Sequence, residues 1–222
     1  MARHESPAVE DYAKAIYALE HHAGEAVTTN ALADRLGVTA ASASGMVKRL
    51  NDLGLVEHRP YRGVSLTSEG RRVALEVMRH HRLLELYLVQ SLGVPWDRVH
   101  AEAEVLEHVL SEELEELIAV KLGDPTTDPH GDPIPTRELT IDERDTESLQ
   151  SLPVGARGTF ARVSDTDPEM LRYLADRGIS PGDELEVVER QPFGGPLFVR
   201  FAEKVHPLGG ELARAMRVEV QA

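Results

Sequence analysis

The chain has 222 residues, 41% hydrophobic and 28% charged, a composition typical of a soluble globular protein with one large domain or a few small ones. No apolar run approaches the roughly 18 residues of a membrane-spanning helix, and the N-terminus lacks the apolar core of an export signal. We therefore expect a cytoplasmic protein with no membrane partner. Because the chain has no cysteine, disulfides, thiolate metal ligands and cysteine nucleophiles are excluded.

The net charge of -14 is distributed unevenly along the chain. Residues 1–75 hold nine Lys and Arg and nine Asp and Glu, whereas the remainder holds 15 basic and 29 acidic residues. A neutral N-terminal part can still meet phosphate through local basic patches, and an acidic remainder can collect cations. The overall charge thus excludes neither nucleic acid nor metal ions.

The first predicted element is an amphipathic helix over residues 7–20, with an apolar stripe that includes Val9, Tyr12 and Ile16. Asp11 and Lys14 lie off this stripe. Taken locally, Asp11 is a carboxylate that favours the first turn of a helix, and nothing nearby makes it a metal ligand.

Residues 27–53 predict two short helices around a tight turn. The first is capped by Thr28 or Thr29 and ends at Gly37, and the second begins at Thr39. This arrangement is typical of a helix-turn-helix. Small side chains at the start of the second helix would let its backbone approach a DNA groove, although they also suit a tightly packed helix pair. The candidate DNA-binding residues here are Thr39, Ala41, Ser42, Ser44, Gly45, Lys48 and Arg49.

Residues 55–66 predict a β-hairpin directly after the second helix, in the position of a wing. Arg59, Tyr61 and Arg62 at its tip suit contact with phosphate. From residue 35 to residue 62 there are five basic and two acidic side chains, so this segment is locally positive despite the acidic chain.

Two further predicted helices carry histidine and glutamate on one face. In the helix over 67–92, His81 and Glu85 are one turn apart. A helix over 99–110 would place four donors on one arc and give Val99, Ala103, Leu106, Leu110 and Leu114 a buried side. Those four donors are His100, Glu104, Glu107 and His108. Two such faces can bind a divalent metal, although each alone could be a solvated acidic face. Surplus leucines in these helices suggest a subunit interface.

The remaining sequence predicts a short helix over 111–122 capped by Ser111, an irregular Pro-rich and Gly-rich segment over 123–136, and then acidic linker-like sequence. After residue 153, short alternating strands with one helical insert over 168–178 predict a small β-barrel.

At this point the sequence resembles the diphtheria-toxin-repressor family of metal-dependent transcriptional repressors, which has iron-sensing and manganese-sensing branches. The resemblance rests on E-D-Y-x-K-x-I-Y, R-G-V-S-L-T-S-E-G-R, H-R-L-L-E, V-H-A-E-A-E-V-L-E-H and D-P-H-G-D-P-I-P, and it covers nearly the whole chain. It implies an α+β fold with a winged helix-turn-helix DNA-binding domain at 1–75, a helical metal-binding and dimerisation domain at 76–140, a linker at 141–152 and an SH3-like (FeoA-like) β-barrel at 153–222.

The resemblance also implies two metal sites. The primary site would use Asp11, Glu104, Glu107 and His108. The ancillary site would use His81, Glu85 and His100, with an oxygen ligand from Asp165 or Asp167 in the C-terminal domain.

Two departures from the family pattern bear on the metal. The iron-sensing branch has Met and Cys where this chain has Asp11 and Glu104, and the change from sulfur to carboxylate favours Mn(II) over Fe(II). Short manganese sensors have a Glu where this chain has Lys14, so their two-ion cluster is not simply reproduced. The expected cofactor is Mn(II), with Fe(II) as the alternative and Zn(II), Co(II), Ni(II) or Cd(II) as surrogates.

The implied function is a homodimeric repressor of metal homeostasis that binds a palindromic double-stranded operator when loaded with metal, with no small-molecule substrate. The alternatives are an Fe(II)-responsive repressor of the same family, a metal-buffering or FeoA-like accessory protein, and a di-metal enzyme. The enzyme alternative is disfavoured because H-E-x-x-H is absent and the one Glu-x-x-His spacing, Glu203 to His206, falls in the predicted barrel.

Overall fold

The computed structural model describes residues 6–23, 27–59, 63–142 and 144–221. The chain divides into two compact units. The first comprises Met1–His81, Glu107–Leu110 and Pro135–Thr140, and the second comprises Arg82–Leu106, Ser111–Ile134 and Ile141–Ala222. Among the described residues, no helix is both long enough and apolar enough to cross a membrane.

The first unit contains the predicted helix-turn-helix and wing. Its elements are α1 (Pro7–Ala23), α2 (Thr29–Leu36), α3 (Ala40–Asp52), the antiparallel strands β1 (Val56–Arg59) and β2 (Gly63–Leu66), and the beginning of α4 (Ser68–Leu92). Thr28 caps α2 and Thr39 caps α3, each through its side-chain oxygen, while Gly37 closes α2 in the left-handed conformation. These caps confirm the turn that the sequence predicted.

Helix α1 organises the core of this unit because it packs against α2, α3 and β2. Its Val9 and Ile16 are fully buried, as are Leu32, Leu50 and Val64 on the surrounding elements. The segment before α2 is joined to the wing by a pair of backbone hydrogen bonds between Val27 and Val64, 3.0 and 2.9 Å long. A movement of α1 would therefore disturb the core on which both the helix-turn-helix and the wing rest.

The helix predicted over residues 99–110 is shorter than expected. Helix α5 covers Val99–Leu106, and residues 107–109 form a turn before α6 (Glu112–Leu122). Ser111 caps α6 in an extended conformation, so the preceding helix has to end several residues earlier. The predicted buried side is also partly wrong: Val99, Ala103 and Leu110 are buried, whereas Leu106 and Leu114 are exposed.

The second unit is completed by a six-stranded antiparallel sheet. Its strands are β3 (Glu147–Ser148), β4 (Arg157–Val163), β5 (Glu184–Arg190), β6 (Leu197–Phe201), β7 (Lys204–Leu208) and β8 (Met216–Val220), in the order β3-β8-β4-β5-β6-β7. Helices α7 (Pro168–Ala175) and α8 (Gly210–Ala215) accompany it. The helical insert predicted over 168–178 is α7, which ends at Ala175, and α8 was not predicted.

The predicted linker over 141–152 is wrong in its second half. Strand β3 pairs with β8, and Leu149 and Leu152 lie in the same buried core as Phe160 and Val187. Two leucines in an otherwise polar segment are enough to anchor it, because each removes a large apolar surface from water. The β-sheet domain therefore begins at Glu147.

Candidate metal centre

A first cluster of possible ligands lies entirely within the first unit. It contains Asp11 from α1 together with Glu107 and His108 from the turn after α5. The His108 Nε2 atom is 3.0 Å from the Asp11 Oδ1 atom, and one ligand atom from each of the three residues lies within 4.8 Å of the others. The structure thus brings together three of the four residues assigned to the primary site.

Glu10 is a component of this cluster that the sequence analysis missed. Its buried carboxylate Oε2 is 2.5 Å from His108 Nδ1, so the opposite ring nitrogen of His108 faces Asp11. A carboxylate on one imidazole nitrogen fixes the tautomer and orientation of a metal-ligating histidine. The only available signal was the adjacency of Glu10 to Asp11, which does not indicate a partner 98 residues away.

Both carboxylate oxygens of Glu107 are engaged. Lys14 Nζ donates to Oε1 at 2.5 Å, and His81 Nδ1 donates to Oε2. Burial by itself raises the pKa of Glu107, but the hydrogen bond from His81 and the charge of Lys14 outweigh it and hold the pKa below its usual value. Glu107 is therefore an anion whose contacts with Lys14 and His81 could be replaced by contacts with a metal ion.

A second cluster surrounds Glu85 in the second unit. His100 Nδ1 lies 3.3 Å from Glu85 Oε1 and 2.9 Å from Asp165 Oδ2. The hydrogen bond with Asp165, followed by that with Glu85, raises the pKa of His100 to about 10. His100, Glu85 and Asp165, all assigned to the ancillary site, are thus brought together.

The same Glu85 also faces two residues that the sequence analysis did not assign. Glu85, Asp128 and His130 are all buried, and one ligand atom from each lies within 4.8 Å of the others. Burial and then the neighbouring Asp132 and Glu85 carboxylates raise the pKa of Asp128 to about 8. Burial lowers the pKa of His130, but the Glu85 carboxylate outweighs this effect and the pKa is about 9. The D-P-H-G motif was quoted for the family resemblance, and its Asp-x-His spacing was the available signal.

Of the remaining assigned residues, Glu104 and His81 each contact a residue assigned to the other site, and Asp167 has a different role. Glu104 belongs to the second unit, where its Oε1 is 3.7 Å from His100 Nε2, and His81 belongs to the first unit, where it meets Glu107. Their membership of the primary and ancillary sites stays a prediction. Asp167 caps α7 by accepting from Glu169 N and Met170 N, so of the two alternatives Asp165 is the one beside His100.

The candidate DNA-binding residues of α3 form one exposed face. The intervening Ala43, Val47 and Leu50 are buried against the core. Arg59 at the end of β1 is exposed and pairs with Glu57 at 2.9 Å. Tyr61 and Arg62 lie outside the described residues. The exposed residues of this face are Thr39, Ala41, Ser42, Ser44, Gly45, Lys48 and Arg49.

Comparison with protein families matches three consecutive models to this chain. They are the iron dependent repressor N-terminal DNA binding domain at residues 5–64, the iron dependent repressor metal binding and dimerisation domain at 67–136, and the FeoA domain at 147–220. The iron-dependent repressor IdeR of Mycobacterium tuberculosis is 35% identical over 95% of this chain and 96% of its own length. The chain belongs to the iron-dependent (diphtheria-toxin) repressor family.

Other relatives and structures extend the comparison. The diphtheria toxin repressor of Corynebacterium diphtheriae is 30% identical over 95% of this chain and 96% of its own length. A manganese-dependent transcriptional repressor in complex with manganese is 42% identical, with a TM-score of 0.89 over 96% of this chain and all of that chain. The T. acidophilum IdeR structure is 27% identical, with a TM-score of 0.76 over 96% of this chain and 97% of that chain. Members of this family are metal-dependent transcriptional repressors and not enzymes.

Proposed function

We propose that this repressor is activated by Mn(II) and binds a palindromic operator in double-stranded DNA as a homodimer in the cytoplasm. The observation that carries the proposal is the position of Asp11. It lies on α1, the helix that packs against α2, α3 and β2, and its carboxylate faces His108 from a distant part of the chain. One ion bound by both would link metal availability to the arrangement of the DNA-binding elements.

The side chains of the first cluster fit a divalent metal of the Mn(II) type. The donors are carboxylate oxygens and imidazole nitrogen, with Asp11, Glu107 and His108 converging and Glu104 expected to join them. Hard oxygen donors suit Mn(II), whereas sulfur donors favour softer or later metals. The similar structure at 42% identity is described as manganese-dependent and contains manganese, which supports the same choice. Fe(II) is the alternative metal.

Asp11, Glu107 and His108 would act by holding α1 to the segment after α5. A divalent cation supplies a positive centre that both sets of donors prefer to share. The arrangement in which they are close is then favoured over those in which α1 has moved away. To change its population from 1:99 to 99:1, the competent arrangement must bind metal with about 5.5 kcal/mol more favourable free energy.

The second cluster would provide a further cation site centred on Glu85. His100, which also contacts Asp165, faces one oxygen of Glu85, and His130 faces the other. These donors include Glu85, His100 and Asp165 of the predicted ancillary set. Because Asp165 follows β4, occupation of this site would also fix part of the β-sheet domain to α4 and α5 within the second unit.

The exposed face of α3 would enter the major groove, as the second helix of a helix-turn-helix does. Its serines, Lys48 and Arg49 can reach phosphates and base edges, and Arg59 of the wing can reach the backbone. In a dimer, two such helices would contact half-sites about 34 Å apart or a multiple of that distance.

The deciding experiment is fluorescence anisotropy of the purified protein on DNA from upstream of its own gene. Chelator, Mn(II), anaerobic Fe(II) and Zn(II) are compared at one fixed salt concentration, because phosphate contacts make affinity salt-dependent. We expect tight binding with Mn(II), weaker activation with Fe(II) and little binding with chelator. Equal activation by Mn(II) and Fe(II) would mean that Asp11 and Glu104 do not select the metal. Metal-independent binding would refute the proposal, and binding to no DNA would favour a metal-buffering role.

Asp11→Ala provides the matched variant, since Asp11 lies on α1 and not on the exposed face of α3. We expect it to remove Mn(II)-stimulated DNA binding while leaving the weak metal-free binding unchanged. Asp176→Ala, an exposed carboxylate at the end of α7, is the control for a lost negative charge. Normal Mn(II) activation of the Asp11→Ala protein would contradict the coupling.

A further inference from the structure

Lys14 is the one ammonium group in direct contact with a carboxylate of the first cluster among the described ion pairs. It follows Asp11 by three residues on α1, so both side chains project from neighbouring positions of one helix face. Its Nζ atom is 2.5 Å from Glu107 Oε1, and the Glu107 side chain is fully buried while Lys14 is 21% exposed. A cation is therefore already held against one of the expected ligand oxygens.

The Lys14 ammonium offsets one of the negative charges of the first cluster. Glu10, Asp11 and Glu107 supply three negative charges, and Lys14 supplies one positive charge, so the group carries a net charge of -2 when the histidines are neutral. A single divalent ion neutralises these four groups, and Glu104, the further ligand expected in the primary site, would add one negative charge. Without Lys14 the same carboxylates would leave one negative charge uncompensated beside a bound ion. Uncompensated charge in a buried site is costly and attracts a further cation.

We propose that the Lys14 ammonium is a permanent positive charge of the primary metal site. It lowers the affinity of the site for metal and limits the site to one divalent ion. This inference rests on the proposed function. Lys14 competes with the metal for Glu107 Oε1, so metal binding has to displace the ammonium from that oxygen. Its long, flexible stem allows the displaced ammonium to swing away while its charge stays close. The repressor therefore responds at a higher metal concentration than it would without Lys14.

The test is isothermal titration of Mn(II) into a Glu85→Gln background, which weakens the second cluster. Lys14→Met keeps the length of the stem and removes the charge, and we expect it to bind Mn(II) at least tenfold more tightly. Lys14→Arg keeps the charge and should bind within about threefold of the parent. Lys121→Met, an exposed lysine in the last turn of α6, controls for the change in net charge. Lys14→Glu should bind one additional Mn(II), detected as a spin-coupled electron paramagnetic resonance signal.

A second readout is thermal melting, which includes the metal-free protein. In chelator, Lys14→Met should melt at a lower temperature than the parent, since Glu107 loses a buried partner, and Mn(II) should raise its melting temperature by more than it raises the parent's. Equal Mn(II) affinity in the parent, Lys14→Met and Lys121→Met would overturn the role of Lys14 and leave the proposed function intact. If neither the parent nor Lys14→Met binds Mn(II), the proposed function and this inference both fail.

Discussion

At the scale of single residues, Gly45 is the clearest case of a residue type that contacts within this chain do not explain. It lies on the exposed face of α3, and a Cβ atom added there would have no described heavy atom within 4 Å. Its backbone is in the ordinary helical region, so no turn requires glycine. Glycine inside a helix costs up to about 1 kcal/mol relative to alanine. A close approach of DNA to this backbone would explain why that cost is accepted.

Gly45→Ala should therefore stabilise the protein and weaken its function. We expect the free energy of unfolding in urea to rise by up to about 1 kcal/mol, because alanine restricts the unfolded chain and favours the helix. Operator binding in anisotropy at saturating Mn(II) should fall severalfold because the added methyl group keeps the helix further from the groove. Unchanged operator affinity would show that this face does not approach DNA closely at residue 45.

Glu10 is the second residue-scale case, because it orients His108 through the nitrogen that does not face Asp11. We expect Glu10→Ala to weaken Mn(II) binding roughly 10- to 100-fold, the range found when a carboxylate partner of a metal-bound histidine is removed, with Glu10→Gln intermediate. Titration calorimetry measures the affinity, and Glu69→Gln, an exposed carboxylate on α4, is the control. Equal affinities for Glu10→Ala and Glu69→Gln would reduce Glu10 to a structural partner of His108.

At the scale of elements, the D-P-H-G loop is fixed on strand β4 by its backbone. Val163 N donates to His130 O at 2.9 Å, and Asp128 Oδ1 accepts from His130 N and Asp132 N at 2.8 and 3.0 Å. Gly131 has a φ of +90°, and a Cβ atom there would lie 2.0 Å from the Ala161 carbonyl oxygen. Only glycine allows this approach, and the approach places Asp128 and His130 beside Glu85.

Gly131→Ala should therefore lower the free energy of unfolding by about 1–3 kcal/mol or more, the strain expected for a side chain at positive φ plus a clash with backbone. It should also weaken metal binding at the Glu85 cluster. Gly155→Ala is the matched control, because Gly155 has a φ of +88° but no described heavy atom within 4 Å of an added Cβ. Denaturant melts and Mn(II) titrations of both variants separate the strain at positive φ from the clash with the Ala161 backbone. Equal losses of stability would mean that the contact with Ala161 relaxes freely.

At the scale of the whole molecule, helix α6 leaves apolar side chains in solvent. Leu114, Leu117 and Val120 recur every three residues along it and are 49%, 61% and 61% exposed. Contiguous exposed apolar side chains on a folded chain mark an interaction surface. They lie within the part of the chain that matches the family's metal binding and dimerisation domain. We infer that a second copy of the chain covers them.

Leu117→Lys should shift the protein toward monomer, because it places a charge in the apolar centre of such an interface. Sedimentation velocity over a range of concentrations measures the change, and operator binding should weaken in parallel since the two half-site contacts are uncoupled. Glu112→Lys, an exposed change of charge about 140° around the same helix from Leu117, should leave the dimer intact. A Leu117→Lys protein that stays dimeric to the same dilution as the parent would place the interface elsewhere.

The sequence by itself determined the local features of this protein. Caps at Thr28, Thr39 and Ser111 and the apolar period of α1 and α4 are encoded within a few residues, so the helix-turn-helix, the wing and most helices could be predicted. The candidate metal ligands followed from the family resemblance, because local pattern alone did not distinguish a ligand face from a solvated acidic face.

Only the tertiary structure decided which side chains meet. Glu10 and His108 are 98 residues apart, and Lys14 and Glu107 are 93 apart. His130 lies on an irregular loop that places it beside Glu85. Such pairs depend on how elements pack and where they end, and the end of α5 at Leu106 was itself mispredicted. Helical periodicity fixes which residues share a face, whereas the partner of that face is fixed by long-range burial and charge pairing, which no local spacing records.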